Sequence, residues 1–180
     1  FKDQVVFEKD EVLTGEGQPY KVFSPYMKAW KKRLTDEDLT HEPSEQHLGS
    51  LAKLPPQEPI SEQQLGFEPA EYHAPPLEPP LEVIENYHQT RNFPAQYGTS
   101  RLSVHLRFGT VSPRGLTRIS KDLNTKYYNE LIWREFYQMI LYQFPHVVNH
   151  NFRRELDDLP WRNSEEDFQR WKTGQTGVPL

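Results

Sequence analysis

Apolar side chains recur at helical spacing through residues 127–144, YYNELIWREFYQMILYQF, and this periodicity constrains the fold more than any other feature of the sequence. A helix here places six of them on one stripe that is wide enough to pack against a core: Tyr128, Leu131, Ile132, Phe136, Met139 and Ile140. Pro145 cannot continue a helix, so it ends the element. The sequence therefore predicts a mainly helical domain that is packed around this helix.

A neighbouring face of the same helix carries Glu130, Trp133, Arg134 and Tyr137 at positions i, i+3, i+4 and i+7. An acid, an indole, a guanidinium and a phenol on one side are typical of a binding surface. They are also compatible with two core aromatics and an i, i+4 ion pair between Glu130 and Arg134. Periodicity alone leaves both interpretations open.

Composition excludes several classes of protein. The 180 residues include no cysteine, which excludes a disulfide framework and a cysteine-based zinc site. No apolar run approaches the length of a membrane span. The net charge of -5 argues against indiscriminate binding to nucleic acid, but a local basic patch is possible because six arginines cluster between residues 91 and 134: Arg91, Arg101, Arg107, Arg114, Arg118 and Arg134.

Residues 36–80 contain nine prolines and many carboxylates, with no sustained period. Such a stretch predicts a surface linker, with one short helix at 61–65. Before it, the sequence VVF at 5–7 is strand-like, and Ser24 with Pro25 predicts the start of a helix that runs to Leu34. The acidic side chains of the linker need no role beyond solvation.

Helical spacing resumes at 81–93, where Tyr87 and Arg91 share one face at i, i+4. The following sequence GTSRLSVHLRFG, residues 98–109, offers hydroxyls and backbone N–H groups at a helix start, which suits an anion. The alternative is that Thr99 or Ser100 only caps a helix that Gly109 ends. Ser112 and Pro113 then predict the start of another helix, which ends near Asn124.

The tail predicts one further helix, over residues 164–172, which Ser164 caps and Gly174 closes. Its large aromatic residues are expected in a core: Trp161, Phe168 and Trp171.

Three motifs, GTSRLSVHLRFGTVSP, NELIWREFY and WKTGQTGVP, resemble the DNA photolyase and cryptochrome family, and most of all the cyclobutane pyrimidine dimer photolyases of bacterial type. Upstream, VLTGEGQPYKVFSPYMKAWKKRL is similar to the end of the antenna-carrying α/β domain of the family. The resemblance implies a middle segment of such a protein, with three parts: the end of the antenna domain at 1–35, the interdomain linker at 36–80, and the first part of the helical FAD-binding domain at 81–180. TGVP stands where the family usually has TGYP.

The resemblance also implies site residues. Contacts to FAD are expected from Tyr87, Thr99, Ser100, Arg101, Leu102, Ser103 and Tyr128, the last at a position where the bacterial enzymes often have Trp. Glu130 is similar to the acid that hydrogen-bonds the dimer, and Trp133 to the indole against which the dimer packs; these two are the implied catalytic residues. Arg91 resembles an arginine that reaches the DNA backbone, and the remaining DNA contacts implied are Leu131, Ile132, Arg134, Glu135, Phe136, Tyr137 and Gln138.

The implied activity is light-driven repair, in which excited, reduced FAD donates an electron to a pyrimidine dimer that the protein has extruded from DNA. A second antenna chromophore of unknown identity, a monomeric state, damaged DNA as partner and a cytoplasmic, nucleoid-associated location in bacteria belong to the same expectation. Two alternatives stay open: a cryptochrome-like photoreceptor that signals through partners, and an inactive helical fragment. A receptor needs no dimer-binding face, so Glu130 and Trp133 favour repair.

Overall fold

The computed structural model describes residues 2–68, 71 and 73–178. Its α-helices are α1 (Phe23–Arg33), α2 (Leu81–Glu85), α3 (Tyr87–Thr90), α4 (Ser103–Phe108), α5 (Pro113–Leu123), α6 (Thr125–Gln143) and α7 (Glu165–Lys172). Within these residues the only β-pairing is a single bridge between Leu13 and Pro19. The prediction of a mainly α fold is confirmed. None of the described helices is both long and apolar enough to cross a membrane.

Helix α6 lies at the centre of the first of two compact units, which ends at Gln143. Tyr128, Ile132, Phe136 and Met139 are buried on one side of it, as the sequence predicts. They pack against α1 and the segments on either side of it, chiefly against Tyr26, Trp30, Val6, Phe7, Val12 and Leu39. Burial of this apolar stripe, rather than helix propensity, stabilises α6 in the fold.

Glu135 is also buried in this core, where only 4% of the residue is exposed. The backbone N–H groups of Val6 and Phe7 donate to its carboxylate at 2.7 and 2.9 Å, and the indole N–H of Trp30 donates at 2.6 Å. The prediction of a strand at 5–7 is wrong, because these N–H groups bond to a helix side chain instead of to a neighbouring strand. Burial raises the pKa of Glu135 above its usual range, against the opposing effect of the three donors.

Among the helices that precede α6, α5 begins and α4 ends as predicted, whereas α1 begins at Phe23 with Val22 and not Ser24 at its N-cap. The Ser112 hydroxyl accepts a bond from the Gly115 N–H at the start of α5, and Pro113 occupies the first turn. Gly109 ends α4 in the left-handed region with φ of 72°. The predicted helix over 81–93 is instead two short helices, because Asn86 between α2 and α3 departs from helical geometry with ψ of 3°.

Most described residues of 36–80 are exposed, with short 3₁₀ turns at Glu37–Leu39 and Ser44–Ser50. A single turn forms at 61–65, where the Leu65 N–H donates to the Ser61 carbonyl. The three-part division at 35 and 80 stays a prediction, and residues 1, 69, 70, 72, 179 and 180 within it lie outside the described residues. Those include Pro179 of the TGVP motif.

The second unit begins at Phe144 and contains α7. Ser164 caps α7 by accepting a bond from the Asp167 N–H at 3.2 Å, as predicted. The prediction that its aromatic residues form a core is wrong: Trp161 is 70% exposed, Phe168 52% and Trp171 68%. Within the described residues 144–178 no side chain is buried, because a unit of this size encloses too little volume to hold a core.

Candidate functional site

Arg91 and Glu130 form an ion pair that joins the end of α3 to α6. Their side chains are 30% and 36% exposed, so the pair is open to solvent on one side. Arg91 donates a hydrogen bond to the Glu130 carboxylate, and this bond raises the pKa of the guanidinium above its ordinary value. The alternative of an i, i+4 ion pair between Glu130 and Arg134 is therefore wrong, since the Glu130 carboxylate accepts from Arg91 at the end of α3.

A chain of contacts runs from this ion pair to the loop before α4. The Arg91 guanidinium lies over the ring of Tyr87 at 5.2 Å, which confirms the predicted shared face of these two residues. Tyr87 meets the ring of Tyr127 edge-on at 5.2 Å, and the Tyr127 hydroxyl donates to the Ser100 hydroxyl at 3.0 Å. The structure thus brings together side chains predicted for DNA contact and side chains predicted for flavin contact: Arg91, Glu130, Tyr87 and Ser100.

The loop itself presents polar groups outward. Thr99, Arg101 and Ser103 are exposed, whereas Leu102 is buried and anchors the loop. Arg101 adopts a φ of 53°, a left-handed conformation that costs an arginine about 1–2 kcal/mol. Neither Thr99 nor Ser100 caps α4: Leu102 occupies the capping position and provides no side-chain bond. Capping therefore does not explain the hydroxyls of this loop.

Gly98 fixes the position of the loop against α3. A Cβ atom at Gly98 would lie 2.6 Å from the Cβ of Thr90, which real contacts do not allow. The Thr90 hydroxyl donates to the Gly98 carbonyl at 3.2 Å in the space that the glycine leaves. Only glycine permits this close approach, which brings the hydroxyl-bearing loop next to the end of α3 at Thr90.

Trp133 lies one turn after Glu130 on α6 and is half-buried in a stack of rings. The ring of Phe23 from α1 covers it in parallel, with centroids 3.6 Å apart and planes 8° apart. Tyr137, whose ring is exposed, lies 5.4 Å away at 24°. One face of the predicted platform is thus occupied by a side chain of the protein itself.

Arg134 donates hydrogen bonds to the backbone of other segments. Its guanidinium donates to the carbonyl of Gln4 at 2.5 Å and to that of Leu106 at 3.3 Å. Partial burial lowers the pKa of the group. Gln138, one turn further along, lies within 3.2 Å of the same guanidinium. Arg134, a member of the predicted DNA-contact run, thus holds α6 to neighbouring segments, while Gln138 contacts Arg134 within α6 and Leu131 is half-buried.

Three other members of that run are buried in the core: Ile132, Glu135 and Phe136. The expectation that these residues contact DNA stays a prediction, and in this structure their side chains are buried. The physical reason is the helical period, since a continuous run of eight residues on a helix covers all of its faces.

The candidate site residues predicted from the sequence do not include Tyr127. They include the next residue, Tyr128, as a flavin contact. Tyr128 is buried against α1, with its ring 5.9 Å from that of Trp30, and is not brought to the loop of Ser100. Its burial raises its pKa to about 12. Tyr127 precedes Glu130 by three residues, hence shares its face, and this spacing was the available signal.

A cavity of about 290 Å³ lies on the α1 side of α6. Its lining includes Tyr26, Glu135, Gln138 and Met139 together with residues of the N-terminal segment. The cluster of Arg91, Glu130, Tyr87, Tyr127 and Ser100 does not contribute to it. The cavity and this cluster are therefore separate regions of the surface.

Comparison with known proteins gives consistent results over the whole chain. Residues 127–180 match the family model described as the FAD binding domain of DNA photolyase. Proteins named deoxyribodipyrimidine photo-lyase are similar along 99% of this chain in Synechococcus sp. (34% identity) and 100% in Salmonella typhimurium (33%) and Escherichia coli (31%). The chain spans 42% of the length of each of these relatives.

A solved structure shares the fold. The crystal structure of a bacterial class III photolyase from Agrobacterium tumefaciens superposes with a TM-score of 0.68 at 24% identity, over 97% of this chain and 40% of that one. At this identity the likeness speaks for the fold alone. The sequence relatives extend over the same residues as the cluster around Glu130, and along its whole length the chain is similar to DNA photolyases.

Proposed function

We propose that this protein takes part in the light-driven repair of cyclobutane pyrimidine dimers in DNA, as a lyase that uses reduced FAD. One observation carries the proposal: the ion pair of Arg91 and Glu130 touches the aromatic pair of Tyr87 and Tyr127, which in turn bonds to the loop at Ser100. Side chains suited to DNA and side chains suited to a diphosphate cofactor therefore share one patch. That arrangement is what a reaction between cofactor and DNA requires.

The loop from Gly98 to Ser103 has the donor set that a flavin diphosphate needs. Thr99 and Ser103 offer exposed hydroxyls, and Arg101 offers an exposed cation. The N–H groups at the start of α4 have no side-chain cap. These residues would hold the diphosphate through hydrogen bonds and charge, and when bound the flavin supplies the light-driven electron transfer.

The residues around Glu130 would handle the DNA. The Glu130 carboxylate can accept hydrogen bonds from the N–H edge of an extruded pyrimidine, and Arg91 can bind a backbone phosphate. Trp133 offers an apolar surface for the base once Phe23 yields its face. Extrusion costs least at a damaged step that already stacks and pairs poorly, so selectivity for dimers begins with the DNA itself.

The deciding measurement uses protein purified at its native length. A flavin absorption band, followed by loss of dimers from a synthetic duplex under blue light but not in the dark, is the expected result. A flavin band without dimer loss would favour a photoreceptor that signals through partners. Protein that neither carries nor takes up flavin would refute the proposal.

Substitution of Trp133 by Ala tests the DNA-facing side separately. Loss of the indole should weaken binding to dimer-containing duplex by about 1–3 kcal/mol, the usual worth of one stacked base, while binding to intact duplex changes little. Trp133→Phe is the matched control because it keeps a flat ring. Equal dimer affinity in all three proteins would remove Trp133 from the binding surface.

The same proposal includes an antenna chromophore, a cytoplasmic location in bacteria and action as a monomer, each of which stays a prediction from the resemblance. The division into antenna-domain end, linker and FAD-binding domain belongs with them. Damaged DNA is the proposed partner.

A further inference from the structure

We propose that the ion pair of Arg91 and Glu130 couples phosphate binding to base recognition, so that the protein discriminates against intact DNA. In the free protein each group satisfies the other. Arg91 would exchange the carboxylate for a backbone phosphate only where a base N–H can replace the guanidinium at Glu130. This inference rests on the proposed function and specifies how that site selects its substrate.

The geometry suits an exchange of partners. The pair joins two separate helices, and about a third of each side chain is exposed, so an incoming group can reach either of them. The Tyr87 ring lies under the guanidinium at 5.2 Å and supports it independently of Glu130. Because Tyr87 also packs on Tyr127, Arg91 keeps an anchor when the carboxylate leaves.

The chemistry of the two anions makes the exchange conditional. A phosphate that takes Arg91 leaves the Glu130 carboxylate without a cation and close to further phosphates, which repel it. In an intact duplex the pyrimidine N–H groups are engaged in base pairs and cannot compensate. An extruded pyrimidine presents a free N–H donor that satisfies the carboxylate. Arg91 therefore binds a phosphate tightly only when Glu130 binds a base at the same time.

A purely structural role for the pair predicts something different. Partly exposed ion pairs stabilise folds very little, so a structural role would leave DNA selectivity unchanged when the pair is broken. The proposed role places the effect in selectivity and in salt dependence. Those two quantities separate the interpretations.

The test compares Glu130→Gln with the wild type on two duplexes of one sequence, with and without a single cyclobutane dimer, by fluorescence anisotropy over a range of salt. Glu82→Gln is the matched control, since Glu82 is exposed on α2 and loses the same charge. Freed from its carboxylate, Arg91 should bind the intact duplex about two- to five-fold more tightly, and the preference for the dimer should fall by at least that factor. The slope of log affinity against log salt should steepen by about 1.

Glu130→Asp is a second variant that keeps the net charge but shortens the side chain. It should shift selectivity in the same direction by a smaller factor. Adding Arg91→Ala to Glu130→Gln should return the salt slope to the wild-type value, because the freed cation is then gone.

The outcomes distinguish this inference from the proposed function. If the wild type prefers the dimer but Glu130→Gln behaves like Glu82→Gln on intact duplex, the coupling is refuted and the proposed function survives. If the wild type shows no preference for the dimer, both fail. A gain confined to Glu130→Gln, abolished by Arg91→Ala, supports the coupling.

Discussion

Helix α6 carries two glutamates five residues apart, and their surroundings differ in every respect. Glu135 is buried and accepts three hydrogen bonds, two from backbone N–H groups and one from the Trp30 indole. Glu130 is partly exposed and faces the cation of Arg91. The first carboxylate is surrounded by neutral donors that belong to the core, the second by a charge at the surface.

The comparison indicates that the role of each carboxylate depends on the groups that bond to it. Donors fixed in a buried backbone cannot be withdrawn without unfolding the segment, so Glu135 ties residues 6 and 7 to α6 permanently. A guanidinium at the surface can be taken by another anion, so the bond of Glu130 is exchangeable. The first environment stabilises the fold, and the second is the one to which the proposed function assigns recognition.

Glu135→Ala should have the largest effect on stability. It would leave the N–H groups of Val6 and Phe7 and the indole N–H of Trp30 buried without an acceptor, so we expect a loss of about 3–5 kcal/mol in the free energy of unfolding. Urea unfolding followed by far-ultraviolet circular dichroism measures it.

Glu130→Ala is the control for that experiment, with the same change of side chain on the same helix. A partly exposed ion pair is worth about 1 kcal/mol or less, so its loss should be small. Equal losses in the two variants would break the comparison and place both carboxylates in the structural class.

Phe23→Ala tests a residue that belongs to both environments, because its ring packs against the core and also covers Trp133. The ring is partly buried, so removing it should cost about 1–3 kcal/mol of unfolding free energy. Under the proposed function the same change uncovers Trp133 and should tighten binding to dimer-containing duplex. Phe23→Leu retains apolar volume without the parallel ring and is the control.

The opposite result would be informative. If Phe23→Ala weakened dimer binding as much as Trp133→Ala, the ring of Phe23 would itself be part of the binding surface.

Local patterns in the sequence predicted the parts of the fold that local forces decide. The stripe of Tyr128, Ile132, Phe136 and Met139 is buried as its spacing requires, and Gly109 and Ser112 end and begin helices as expected. The shared face of Tyr87 and Arg91 follows from the same periodicity.

Partners far apart in the chain could not be predicted in this way. Arg134 bonds to the carbonyl of Gln4, 130 residues away, and Glu135 bonds to Val6 at nearly the same separation. Helical spacing places Arg134 one turn from Glu130. The partner that each of them bonds to depends on which other segments of the folded chain cover it and exclude water. Trp161 and Trp171 show the converse, because apolar character favours burial without providing a surface to pack against.

Tyr127→Phe should have the smallest effect, and it tests whether the loop before α4 is attached to the exposed side of α6. The change removes only the hydroxyl that donates to Ser100 at 3.0 Å and keeps the ring against Tyr87, so we expect a loss of about 0.5–1.5 kcal/mol. Ser100→Ala should cost a similar amount, and the double variant no more than either single one, because all three lack the same bond. Strictly additive unfolding free energies would mean that the loop is held by Gly98 and Leu102 alone, and that the residues proposed to bind flavin and those proposed to bind DNA are not coupled through Tyr127.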